Sequence, residues 1–305
     1  TLMKSKPKHS KIKRIANALI VMKTAFGISK EQAKDEHLDV IRSLNTANKY
    51  KEHVLRFLEF LSANRLPASG PFHIEHMQEF LFVLSEDEHD QRYIDSSKRA
   101  LDVTFGVKLN RVESEVPIIL KSRSYSYVEV DQVLKYQTPK NRFATELCFA
   151  AGLRAHETLT LRRGEELAPS PHRTWDRGRF TALSNYKIYT VEGKGGLCRN
   201  VAIPLVLAER LEKLRLAAPV KYQDRGIFYE SAYDIGGGQA LSQSFTTASQ
   251  KALGFSNGFH GLRHAYAKKR LADLIGSGLD TEYAMKILSE ELGHFRVEIV
   301  LAYLR

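Results

Sequence analysis

Gly258-Phe259-His260-Gly261-Leu262-Arg263-His264, then Glu291-Leu292-Gly293-His294 and a tyrosine nine residues later at Tyr303, decide how this chain is read. His260 and His264 are four apart, so on a helix they share a face. A zinc peptidase pair has that spacing, but it needs Glu directly after the first His, and here Gly261 stands there. Arg263 between the two would also repel a dication. A phosphate suits the same groups better: Arg263 offers a planar donor fork, His260 a further donor, and a helix start adds backbone N–H groups.

Two upstream stretches supply what one arginine lacks. Gly152-Leu153-Arg154-Ala155-His156-Glu157 places Arg154 at the end of an apolar helical run, with Glu157 spaced to hold its guanidinium. Taken alone this is an ordinary Arg–Glu pair of small energetic weight. Lys194 sits at the tip of Gly193-Lys194-Gly195-Gly196, where glycines favour a hairpin turn. Taken alone it is an ordinary turn lysine. Together the residues make one chemistry. Arg154 and Arg263 neutralise a pentavalent phosphorane, and histidines donate hydrogen bonds or move protons. Lys194 protonates a departing 5′-oxygen, and Tyr303 attacks phosphorus as an oxygen nucleophile. The cationic side chains carry the charge, so the reading calls for no metal and no cofactor.

The bulk properties agree with a polyanionic partner. The chain has 305 residues, a net charge of +11 and 43% hydrophobic content. That is enough for two folded domains and argues against disorder. A basic excess on this scale points to nucleic acid. Two distant cysteines, Cys148 and Cys198, make neither a disulfide framework nor a zinc knuckle, so a reducing, cytosolic setting is expected. Cys148, in an apolar run, reads as a small core residue. No run approaches the ~18 apolar residues of a membrane span.

Along the chain, residues 1–35 are expected to form a basic N-terminal extension. Lys4, Lys6, Lys8, Lys11, Lys13 and Arg14 lie at its start with no acidic residue among them, suited to phosphates without base reading. Helical spacing appears from Ile12 onwards. Residues 36–115 read as a helical bundle, with helices over 46–64, from 74 onwards and over 96–109. The pair His73 and His76 lacks further ligands and reads as surface. Residues 116–126, with Lys121 and Arg123, read as a basic linker. In 127–305 helices are expected over 128–136, 141–151, 205–216, 241–253, 261–275, 281–292 and 295–302. Period-2 runs over 179–184, 187–192 and 199–204 predict short strands. The glycine-rich Ile235-Gly236-Gly237-Gly238 lacks the Lys-Ser/Thr ending of a nucleotide-binding loop.

The ordered set Arg154, Lys194, His260-x-x-Arg263-His264, Leu292-Gly293-His294 and Tyr303 resembles the tyrosine recombinases, the phage integrase family. That family's Gly-Leu-Arg-x-x-Glu box is similar to residues 152–157. Its Gly-Lys-Gly hairpin with Arg-x-Val-x-x-Pro is similar to Gly193-Lys194-Gly195 and Arg199-Asn200-Val201-Ala202-Ile203-Pro204. The resemblance spans about 150–303. It implies a mainly α fold with a small antiparallel sheet: a helical core-binding bundle plus an α+β catalytic domain, closing on DNA as a C-shaped clamp. It implies Tyr303 as nucleophile, Arg154 and Arg263 on the phosphate, Lys194 as general acid, His260 in proton handling and His294 hydrogen-bonding the phosphate. Glu157 and His264 are expected as supports. The expected partners are double-stranded DNA with inverted-repeat core sites, a tetramer of this chain on two sites, and accessory DNA-bending proteins. The expected setting is the prokaryotic-type cytoplasm, beside the nucleoid, and the expected role is integration or excision of a mobile element. Two rival readings share these residues: a type IB topoisomerase, which commonly has Lys where this chain has His260, and a silent DNA-binding accessory protein.

Overall fold

A computed structural model describes residues 6–28, 30–36, 38–116, 122–193 and 195–304. The chain divides into two compact units, Thr1–Ile119 and Leu120–Arg305. The division falls inside the expected linker.

The first unit is a helical bundle: α1 (Lys6–Val21), α2 (Lys30–Asp35), α3 (Leu44–Ala63), α4 (Ile74–Glu86) and α5 (Gln91–Phe105). Side-chain caps fix two starts, Ser43 accepting from the Thr46 N–H and Asp90 from the Tyr93 N–H. The α3 stripe Val54, Phe57, Leu58 and Leu61 is fully buried. Phe57 meets Phe72, Phe80 and Phe105 at centroid distances of 6.5, 5.6 and 5.8 Å. One expectation is corrected here. Residues 1–35 are not a separate extension throughout, because Ile12, Ala16 and Ile20 of α1 are buried in the same core. An apolar stripe at helical spacing outweighs the basic residues between its members. Lys11, Lys13 and Arg14 form the exposed face of this packed helix. Lys6 and Lys8 lie at its start, and Lys4 lies outside the described residues.

The second unit begins with α6 (Tyr127–Leu134), opened by a reciprocal capping box between Ser126 and Glu129. Tyr125, expected in the linker, is 3% exposed and belongs to this core. Pro139 starts α7 (Pro139–Ala151), and Gly152 ends it in the left-handed region. At Gly152 a Cβ would stand 2.5 Å from Tyr266 Cδ1, so both the backbone conformation and the packing require glycine. A 3-10 turn (Glu157–Leu159) leads to the antiparallel sheet β1 (Arg162–Arg163), β2 (Tyr186–Glu192), β3 (Cys198–Pro204), ordered β1-β2-β3. Tyr189 pairs with Val201, and the Gly193 N–H donates to the Leu197 carbonyl to close the hairpin.

Three departures from the sequence expectations follow. Residues 179–184 are turns, not a strand. Phe180 and Ala182 have positive φ, and side chains hold this backbone: the Phe180 N–H donates to Glu291 and Arg270 donates to the Thr181 carbonyl. The helix expected over 205–216 ends early, as α8 (Leu205–Glu212). A second hairpin then follows, β4 (Arg215–Asp224) and β5 (Ile227–Tyr233), turning at Arg225 and Gly226. The remaining helices match expectation within a few residues: α9 (Gly238–Leu253), α10 (His260–Gly276), α11 (Thr281–Glu291) and α12 (Val297–Leu301). Leu274 on α10, Ile287 and Leu288 on α11 and Val300 on α12 pack with Tyr303 in a cluster of their own. The buried Arg270–Glu291 pair, 2.8 Å apart, ties α10 to the end of α11.

Candidate active site

Four pieces of the second unit bring the site residues together: the turn after α7, strand β3, the first turn of α10, and the stretch from the end of α11 to Tyr303. At the centre is Glu157, with 0% exposure. Its Oε1 accepts from Arg154 Nη1 at 2.7 Å. Its Oε2 accepts from the Arg154 backbone N–H at 2.8 Å and from Arg199 Nη2 at 2.6 Å. Arg263 Nη1 stands 4.0 Å from the same oxygen. Burial alone would raise the Glu157 pKa. Arg199, then Arg263 and Arg154, more than offset that and hold it down at about 2.

Arg263 is in the first turn of α10 and is 1% exposed. Its Nη1 donates to the Gly152 carbonyl and its Nη2 to the Leu292 carbonyl. Gly152 and Leu292 are the C-caps of α7 and α11, so the guanidinium sits on the negative ends of two helix dipoles. Its Nε donates to Tyr303 Oη at 3.2 Å.

Tyr303 is 4% exposed. Its hydroxyl lies 2.8 Å from His294 Nε2, which in turn lies 3.2 Å from Arg154 Nη2. A guanidinium can only donate, so His294 Nε2 is an acceptor, and the Tyr303 O–H donates to it. Burial lowers the His294 pKa to about 3, with Arg263, Arg154 and Arg199 adding to the effect. His294 is therefore neutral at physiological pH. His264 Nδ1 is 3.2 Å from the Tyr303 carbonyl, which fixes the Nδ1–H tautomer. The His260 ring stands 5.4 Å from the Tyr303 ring, centroid to centroid, and the residue is exposed. Partial burial, then Arg263 and His264, push its pKa down.

Of the sequence-assigned residues, the structure gathers Arg154, Glu157, Arg263, His264, His294 and Tyr303, with His260 at the rim. Lys194 and Lys121 lie outside the described residues. The hairpin that carries Lys194 backs onto the site: a Cβ at Gly193 would be 3.2 Å from Glu157 Oε1. Arg123 is exposed, and its charge contributes to lowering His264. His294 was expected to bond a phosphate; here its Nε2 meets the Tyr303 hydroxyl. Sequence reasoning assigned no role to Arg199, which is 1% exposed. The available signal was its strand position, since Arg199, Val201 and Ile203 share one face of β3 and all are buried. Among the described residues, no group of three His, Cys, Asp or Glu side chains is arranged to hold a metal ion. No described helix is long and apolar enough to cross a membrane.

No family model and no curated protein matches the chain. Solved structures do. XerH site-specific recombinase bound to palindromic difH substrate, in a post-cleavage complex, superposes with a TM-score of 0.57 at 18% identity, over 96% of this chain and 90% of that one. The pre-cleavage XerH–difH complex gives 0.56 at 19% identity, over 100% and 95%. The chain has the recombinase fold. The Tn1549 transposon integrase, in complex with transposon right end DNA, gives 0.50 at 14% identity over 95% of this chain and 94% of that one.

Proposed function

We propose that this protein is a tyrosine-type site-specific recombinase, which cuts and rejoins double-stranded DNA through a 3′-phosphotyrosyl intermediate. The observation that carries the reading is the position of Tyr303 Oη. It lies between a guanidinium donor, Arg263 Nε at 3.2 Å, and a neutral imidazole acceptor, His294 Nε2 at 2.8 Å, and Arg154 Nη2 stands 3.2 Å from that same nitrogen. A nucleophile, a hydrogen-bond acceptor that orients its hydroxyl and two phosphate-binding cations meet at one point.

In the step this implies, Tyr303 Oη forms a bond to phosphorus as the P–O5′ bond breaks. Arg154 and Arg263 stabilise the charge on the equatorial oxygens. The leaving O5′ takes a proton from Lys194 and His260 takes the proton that Tyr303 loses, the roles the family resemblance gives them. A 5′-hydroxyl from a partner strand then attacks the phosphotyrosine, so the bond energy is conserved and no external energy source is needed. Four copies on two inverted-repeat sites, with accessory DNA-bending proteins, would supply the partner strand. A mobile element is the proposed context, in a prokaryotic-type cytoplasm.

The test is incubation of the protein with a pool of nicked suicide duplexes with randomised cores, followed by denaturing electrophoresis. We expect a covalent protein–DNA band, with cleavage mapping to defined sites and, on paired sites, joined recombinant product. On a supercoiled plasmid assayed alongside, relaxation by monomer without recombinant product identifies a topoisomerase. DNA retention without any covalent band identifies a silent binding protein. Either result overturns the proposal.

A further inference from the structure

Arg199 differs from the other cations around Tyr303. It is buried, yet only its Nη2 is bonded, to Glu157. Its Nε and Nη1 find no hydrogen-bond partner among the described residues. A guanidinium held this way is costly, and an apolar residue of similar volume would serve packing better. Its stem is pressed against the turn before His294: a Cβ at Gly293 would stand 2.9 Å from Arg199 Cδ and 3.2 Å from Nε. Gly293 also has a φ of +73°. Arg199 therefore touches both the carboxylate that holds Arg154 and the backbone that carries His294.

The geometry at Glu157 shows what this accomplishes. A carboxylate beside one arginine tends to take its fork with both oxygens. Here the oxygens are divided. Arg154 gives Oε1 only its Nη1, because Arg199 occupies Oε2 together with the Arg154 backbone N–H. Arg154 Nη2 is thereby left to reach His294. Without Arg199, Glu157 would close on Arg154 as a bidentate pair, drawing Nη2 away from His294 and neutralising the charge meant for a phosphate.

We propose that Arg199 is a positioning residue: by dividing Glu157 and supporting Gly293, it sets Arg154 and His294 against Tyr303 without itself touching the phosphate. This rests on the recombinase reading of the same site, and the test separates the two.

The full chain is compared with Arg199→Lys, Arg199→Met, Glu157→Gln and the double variant Arg199→Met/Glu157→Gln, on the randomised nicked duplex pool. Retention of the pool should fall far less than the rate of adduct formation. The rate of covalent adduct formation should fall about 100-fold in Arg199→Met, the scale expected of a small misplacement of reacting groups. It should fall less in Arg199→Lys, which keeps the charge but not the fork. The double variant should be no slower than Arg199→Met, because both changes act on one path. Being neutral at both positions, it also provides a foldable comparison if Arg199→Met is unstable. The second readout needs no DNA: the guanidinium N–H signals of Arg154 by NMR. They should exchange slowly with water in the wild type and change in Arg199→Met and in the double variant. An unchanged adduct rate in Arg199→Met, strictly multiplying losses in the double variant, or Arg154 signals indifferent to both changes would overturn the role. If the wild type forms no adduct, the recombinase reading fails, and the Arg154 signals alone decide Arg199.

Discussion

Replacing Glu157 by Gln keeps the shape of the site and removes the one negative charge at its centre. Its pKa is held from the ordinary 4.5 down to about 2. At about 1.4 kcal/mol per pH unit this amounts to roughly 3 kcal/mol of stability at neutral pH. Burial, Arg263 and Arg154 hold Arg199 down at about 10 while Glu157 raises it, so the cost of burying Arg199 remains in the variant. A loss of about 3 kcal/mol on Glu157→Gln follows, at the low end of the effect of breaking a buried pair. For a unit of this size that is a fall in melting temperature of roughly 6–12 °C. The folded-state pKa lies below the unfolded one, so the contribution is complete above about pH 5 and disappears as the pH falls through about 2. The gap between wild type and variant should therefore narrow to about half by pH 3. Calorimetry of both proteins at pH 7 and pH 3 measures this. A variant melting within about 2 °C of wild type at pH 7, or a gap that ignores pH, would refute the account of Glu157 as the charge centre.

Three further outcomes are expected. Tyr303→Phe should retain DNA yet give no covalent adduct, and should lose about 1–2 kcal/mol in a melt because it forfeits two hydrogen bonds; an adduct in that variant would remove Tyr303 as nucleophile. By histidine NMR of the free protein, His294 should stay neutral until the pH approaches 3, and a midpoint near 6.5 would contradict its burial among three guanidiniums. Gly152→Ala should cost about 2–4 kcal/mol through the left-handed backbone and the clash with Tyr266. Gly195→Ala, equally left-handed but with nothing within 4 Å, should cost only about 1 kcal/mol; equal losses at the two sites would mean that packing on Tyr266 contributes nothing.

Much of the architecture was legible wherever an apolar stripe faces one core. The α3 residues Val54, Phe57, Leu58 and Leu61 repeat at helical spacing and are all buried. The hairpin of β4 and β5 was not legible, because most of β4 is exposed and leaves no alternation to read. Its one signal was the Asp224-Arg225-Gly226 turn. The false strand at 179–184 has strand-like residues, but Arg270 and Glu291, roughly a hundred residues away, hold its backbone in turns. At the site, residue identity announced most of the groups that the fold brings together around Tyr303. It did not announce Arg199, since a charged residue is ordinarily placed at the surface. Nor did it show that His294 faces the tyrosine hydroxyl, which depends on the turn at Gly293.

Arg263 has two obligations in this molecule. Besides facing Tyr303, it bonds the last carbonyls of α7 and of α11. These are separate helices whose ends are joined through this side chain. If the proposed DNA cleavage were no longer under selection, a copy of this gene could replace Tyr303 by Phe and still make a folded protein. It could not lose Arg263 so cheaply. Silent descendants of this chain should therefore keep the arginine long after the tyrosine has gone, so the arginine alone is poor grounds for inferring activity.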